Sequence, residues 1–282
     1  MTASRRHARF SLIRLGLLAS LVTAAGAAAD KREYSFANPT PDALLREMST
    51  DRPDATESPF TLDAGHVQIE MDAANFMHDR SGGGRTRQWG LAPFNLRFGV
   101  RQNLEVGVFF APYIHVSEQT GEGPTTTAHG SGDTTLRAKL NFWGNDGGPT
   151  ALGLLVDLKL PTAARGLGNE RFESAITLPF TFELGGGWKG GAMTLIEIIH
   201  TGAGGYRPVW GNTITFGHDI TKEVGGYLEL TSSAGDGRYA VTCNVGFTRR
   251  VDANTQFDCG VTFGISRAAP DVGLFAGVSR RF

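Results

Sequence analysis

The 282-residue chain is short of cysteine, of long apolar runs, of charge of one sign and of clustered metal ligands, and each shortage closes off a class of protein. Two cysteines, Cys243 and Cys259, stand too far apart for a zinc knuckle. Beyond residues 1–29 no stretch approaches the roughly 18 uninterrupted apolar residues that a spanning helix needs. Lys and Arg number 27 against 28 Asp and Glu, with no block of either sign, so the chain has no global field for nucleic acid or an anionic surface. The 7 histidines are scattered outside any H-E-x-x-H pattern. No metal or cofactor is expected. Gly-rich runs such as Ser81-Gly82-Gly83-Gly84 follow no strand-to-helix context and read as loop, not phosphate cradle.

What is present points to export. Arg5, Arg6, Arg9 and Arg14 precede an apolar stretch containing Leu15, Leu17, Leu18, Leu21 and Val22, and Ala27-Ala28-Ala29 supplies small residues for cleavage before Asp30. Residues 1–29 are therefore expected to be a signal peptide. At the other end, Val272, Leu274, Ala276, Val278 and Phe282 recur at every second position, the pattern of a strand with one lipid-facing side. An aromatic final residue resembles the signal read by the barrel-assembly machinery. Arg280 breaks the apolar face, and at a strand end it can snorkel to the headgroups.

Between these ends the text is alternating segments separated by turn signals. Val67, Ile69 and Met71 oppose Gln68, Glu70 and Asp72, while Phe94, Leu96 and Phe98 oppose Asn95 and Arg97. The same rhythm recurs through Leu104–Phe110, Leu136–Phe142, Leu152–Leu160, Ile176–Phe182, Ile214–Phe216, Leu228–Leu230, Val241–Phe247, Phe257–Ile265 and the last strand. Trp188 to His200 is apolar on both faces, and its register stays open. The pattern predicts an all-β, transmembrane, antiparallel up-and-down barrel of about twelve strands over residues 64–282. Short links at 101–103, 144–149, 185–187, 219–223 and 250–254 alternate with longer ones near 80–87, 116–132, 163–171, 201–208 and 232–238, plus a brief one at 267–270. An even strand count puts both termini on the periplasmic side. Trp89, Trp143, Trp188, Trp210, Tyr113, Tyr206 and Tyr239 fall near strand ends, where amphipathic rings suit a membrane interface.

The inward positions collect charge of both signs: Glu70, Asp72, Arg97, Glu105, Arg137, Lys139, Asp157, Lys159, Glu183, Glu229 and Asp258. These are candidate lumen residues, either lining a solute path or neutralising one another as a structural network. Residues 30–63 are not strand-like and form either a periplasmic arm or a plug. Asp51, Arg52, Asp54 and Glu57 stand between prolines, and a plug would pair Asp51 to Glu57 with Arg97, Arg137 and Lys139. Cys243 and Cys259 fall on neighbouring strands and point to the apolar side, so register decides between a cross-strand disulfide and two free thiols.

Several blocks carry a family likeness: Thr50-Asp51-Arg52-Pro53-Asp54-Ala55-Thr56-Glu57-Ser58-Pro59-Phe60, Pro93 to Gly99 with Asn103 to Gly107, Gly132 to Lys139, and Lys159-Leu160-Pro161-Thr162. The chain resembles the meta-pathway phenol-degradation family of exported bacterial proteins, whose members are described as transporters or outer-membrane proteins. The resemblance implies a barrel in the outer membrane of a Gram-negative bacterium. By its name it also implies passage of small, aromatic or otherwise hydrophobic solutes. Lipid, the assembly machinery and the solute are then the expected partners, with no nucleic acid. The alternatives are a structural or adhesin-like barrel with a closed lumen and, less favoured, a hydrolase drawing on Ser174, His200, His218 and Asp219.

Overall fold

The computed structural model describes residues 31–80, 83–202 and 204–282. The expected signal peptide lies outside the described residues. Fifteen strands make one antiparallel sheet that closes on itself. They are β1 (Val67–Asp79), β2 (Gly84–Leu91), β3 (Phe94–Arg101), β4 (Leu104–Phe110) and β5 (Tyr113–Thr120). Next come β6 (Thr125–Gly130), β7 (Thr134–Trp143), β8 (Thr150–Leu160), β9 (Glu173–Gly185) and β10 (Trp188–His200). The last five are β11 (Tyr206–Asp219), β12 (Val224–Gly235), β13 (Arg238–Asp252), β14 (Thr255–Gly264) and β15 (Val272–Arg281).

Six of these are halves of longer staves. β1 pairs along one edge with β3 in its first part and β2 in its second, so β2 and β3 are one stave. It breaks where Ala92 turns left-handed, φ 52°, and Pro93 has no N–H to give the ladder. β4 and β5 likewise pair with β3 and β2 and part at Ala111 and Pro112, and β6 and β7 part at residues 131–133. Fifteen strands less three such joins leave twelve staves. β15 returns to β1, with Gln68 opposite Arg281 and His78 opposite Val272. β6 pairs only with β5, while the loop after β8 lies against the end of β6 through a hydrogen bond from the Ala164 N–H to the Ser131 carbonyl, 2.9 Å.

Short links gather at the end where β1 starts and β15 finishes, here the turn end, and the opposite end is the loop end. Two expected loops prove otherwise. Residues 116–132 are mostly the β5–β6 hairpin, and 232–238 is strand up to a two-residue turn at Asp236 and Gly237, φ 54° and 69°. Polar Thr and Ser in these stretches make ladder bonds as well as apolar residues do, so alternation of polarity misses strands that run beyond an apolar band.

The core is inverted. Arg97, Lys139, Glu105, Glu229 and Gln68 are among the largest fully buried side chains, while Trp143, Phe142, Ile176, Leu228, Phe247, Phe257 and Leu274 are exposed. Water would reject that surface and lipid accepts it. The aromatic residues form two belts, Trp143 and Trp188 towards the turn end and Trp210, Tyr206, Tyr239, Trp89 and Tyr113 towards the other. Arg280 does face outward, but Thr255 accepts a bond from its guanidinium at 3.1 Å and the Phe282 ring lies 5.5 Å away. The disulfide does not form. β13 and β14 are neighbours, yet Cys243 stands opposite Phe263 and Cys259 opposite Phe247, four positions out of step, and both thiols are free on the lipid side.

Candidate functional site in the lumen

Residues 31–66 enter the barrel from the turn end, run inward and come back. Ser35 makes a single bridge to Arg101 at the end of β3, and Pro39, Pro41, Pro53 and Pro59 keep the rest of the stretch from joining the sheet. Its base is clamped: Lys31 Nζ meets Asp63 at 2.9 Å, the Arg46 N–H donates to Asp63 at 2.8 Å, and the Arg46 guanidinium donates to Asp146 at 2.8 Å and to the Gln102 carbonyl at 2.8 Å. Partial burial of Asp146 would raise its pKa, but the hydrogen bonds and charges of Arg46 and Lys31 hold it below the usual carboxylate range. Glycines of the wall admit the segment. A Cβ on Gly99 would stand 2.0 Å from the Asp63 carbonyl oxygen, and one on Gly153 would stand 3.0 Å from Pro59.

Inside, the segment meets the charges that alternation assigns to the inner face. Arg97 donates to both Glu105 oxygens at 2.8 Å each and to Glu70 at 2.5 Å. Glu70 in turn accepts the N–H groups of Asp51 and Arg52 at 2.9 and 3.1 Å. Lys139 donates to Asp51 at 2.5 Å, and Arg97 lies 3.7 Å from the other Asp51 oxygen. Arg137 grips Asp157 with two bonds of 2.7 and 2.8 Å, donates to Glu57 at 2.6 Å and lies over the Phe109 ring at 4.3 Å. On β1 and β14 Arg52 joins Asp72 and Asp258, the latter at 2.5 Å. At the inner tip Glu229 accepts the Ala55 and Thr56 N–H groups at 3.0 and 2.7 Å and the Asn244 amide at 2.5 Å. The hydroxyls of Thr56 and Thr213 are 2.6 Å apart.

Three expected residues sit elsewhere. Asp54 lies beside Thr215 and Glu229 rather than in an ion pair with Arg97, Arg137 or Lys139. Lys159 is towards the loop end, between Asp133 at 3.0 Å and Glu173 at 2.8 Å. Glu183 has the inward parity but is exposed at the turn-end rim, past the packed lumen. Sequence reasoning left out Gln68, Asn141, Asn244 and Thr213, although their parity is inward; it left out Arg46 and Arg281 because nothing local marks a clamp. It also passed over apolar inward residues. β10 settles into register with Met193 and Leu195 inward, opposite Thr213 and Gly211, and Leu155, Val209 and Phe109 share that face. Above the segment Leu195 and Val209 give this side of the lumen an apolar strip, interrupted by Glu197 opposite Val209, and Met193 touches the segment itself through the Glu57 N–H, 3.4 Å from its sulfur. Of the hydrolase candidates, Ser174 and His200 are at the loop end and His218 and Asp219 at the turn end, too far apart to act together.

An apolar exterior, a closed ladder and a charged interior filled by the chain's own N-terminal segment define an outer-membrane β-barrel. The chain belongs to the family described as "Putative MetA-pathway of phenol degradation", which matches residues 50–282. An outer membrane channel from Pseudomonas putida F1 is similar in fold at 14% identity and TM-score 0.58, covering 83% of this chain and 100% of that one. The NanC porin matches at 7% identity and TM-score 0.48 over 76% of this chain and 98% of that one. The Pseudomonas putida toluene transporter TodX matches at 9% identity and TM-score 0.42, over 77% and 88%. No curated protein matches the chain.

Proposed function

We propose that the barrel passes small aromatic or otherwise apolar solutes along its lumen, and that residues 31–63 are a plug that keeps the path narrow. The carrying observation is an apolar surface beside an ionic contact between segment and barrel: the Phe109 ring lies 4.3 Å from Arg137, which also holds Glu57 and Asp157, and Leu195 and Val209 face the same lumen from β10 and β11. An apolar ring gains from that surface, and a carboxylate on that ring would compete with Glu57 for Arg137. The turn end is periplasmic in this account, residues 1–29 direct export, and the strand ending at Phe282 is what the assembly machinery reads. In planar bilayers, benzoate added to the refolded chain from Asp30 onward is expected to block or shift the conductance steps at millimolar concentration, while acetate leaves them unchanged. Equal effects of the two acids would contradict an aromatic-selective path.

A further inference from the structure

At the loop end the outer wall carries charge on one side only, the outward Arg249 and Arg280 standing at the turn end. On β1, β2, β5 and β6 the outward positions above the aromatic belt hold His78, Arg85, Arg87, His115 and His129, in register: Arg87 opposite His78 and Ser117, Trp89 opposite His115, His115 opposite His129. The outward positions of β1 from Phe76 and of all of β2, β5 and β6 include no Asp or Glu. Among the described residues Arg85 bonds only the Gln119 amide oxygen, at 2.7 Å, and no carboxylate lies within ion-pair distance of Arg85 or Arg87. His78 Nδ1 is buried without a hydrogen-bond partner. Directly below are Trp89, its ring tilted against Phe76 with centroids 4.4 Å apart, and the exposed Leu91 and Tyr113. At the same height on the far side, Tyr206, Trp210 and Tyr239 are uncharged.

The geometry points to a binding site for a phosphorylated glycolipid of the outer leaflet, its phosphates on Arg85 and Arg87 and its acyl chains along Leu91, Trp89 and Phe76. Arg87 is two residues from Trp89, roughly 7 Å along the strand, so the step from apolar to cationic surface matches an amphiphile whose phosphates sit directly above its chains. Unpaired guanidinium groups suit phosphate because they present planar, paired donors, and the surrounding imidazoles add further ones. A neutral headgroup would leave these cations without counter-charge at the membrane surface. The site rests on the orientation proposed above, with the loop end outside.

The test titrates the refolded chain with bis-phosphorylated lipid A, read by native mass spectrometry. Arg85→Gln with Arg87→Gln is expected to weaken binding about 25-fold, on the basis of about fivefold for each arginine at a charged lipid surface. Both residues are exposed, and a heat-modifiable gel shift reports that the variant barrel is intact. Binding within twofold of the parent would overturn the site. So would equal binding of the phosphate-free glycolipid, and equal binding of phosphatidylglycerol would overturn the glycolipid as occupant. Orientation is read separately: Glu122→Cys in a Cys243→Ser, Cys259→Ser background should react with an impermeant maleimide on whole cells. Failure to label would contradict the orientation and with it this occupant, whereas failure of the titration alone leaves the orientation standing.

Discussion

Deleting residues 31–62 is expected to raise single-channel conductance several-fold. Twelve staves enclose more space than the eight-stranded barrels that side chains fill, and less than the sixteen-stranded porins that stand open. Here the segment occupies the difference. It makes bonds to β1, β3, β4, β7, β12 and β14, and Gly153 on β8 and Gly191 on β10 leave it room. The wall keeps much of its own neutralisation without the segment, since Arg97–Glu105, Arg97–Glu70 and Arg137–Asp157 are pairs within the barrel. The truncated chain should therefore still fold and shift on heating. Residues 31–62 carry six acids against four bases, so although Asp72 and Asp258 lose Arg52, Lys139 and Arg137 lose Asp51 and Glu57, and the opened lumen becomes less negative and should favour cations less than the parent does. Unchanged conductance in a folded truncation would mean that the segment does not occlude the path.

Arg97→Met is expected to destabilise the barrel by about 3–5 kcal/mol, the cost of removing one partner from a buried ionic cluster. Arg97 is 1% exposed and serves Glu70, Glu105 and, at longer range, Asp51; without it Lys139 reaches Asp51 and Glu105, Arg137 reaches only Asp51 at 4.0 Å, and among the described residues Glu70 has no ion pair. It also holds the segment through the Ser49 and Phe60 carbonyls at 3.3 and 3.2 Å. Arg97→Lys should recover only part of the loss, because a single ammonium cannot reproduce the two-pronged grip on Glu105. Arg250, paired with Glu47 at the exposed turn end, is the control: Arg250→Gln should cost under about 1 kcal/mol. Urea unfolding in lipid vesicles measures all three, and equal midpoint shifts for the Arg97 and Arg250 variants would contradict the buried-network account.

Most of this barrel is legible in alternation because each strand separates lipid from lumen. Val67, Ile69 and Met71 go out and Gln68, Glu70 and Asp72 go in, and the structure keeps that parity. Parity says which face a residue takes, not how far along the barrel it stands. That is why Glu183 falls at the rim, and why Cys243 and Cys259, correctly placed on one face of neighbouring strands, miss each other by four positions. The broken staves at Ala92–Pro93 and Ala111–Pro112 read as ordinary loop boundaries, since only pairing to a common neighbour reveals that the chain resumes the same stave. β10 was illegible because its inward Met193 and Leu195 face an apolar part of the lumen, so both faces look alike. The candidate plug was visible as acids between prolines. Its clamp of Arg46, Asp146 and Arg281 was not, as those contacts join residues about 100 and 235 positions apart.

The most direct measurement locks the segment in place. With the native cysteines replaced by serine, Thr56→Cys and Thr213→Cys put two thiols where hydroxyls now lie 2.6 Å apart, within reach of a disulfide. Single-channel recording before and after a reductant then isolates the movement of the segment from all else. The account predicts a small, aromatic-insensitive conductance while oxidised and larger steps, blocked by benzoate, once reduced. Identical traces in the two states would contradict it.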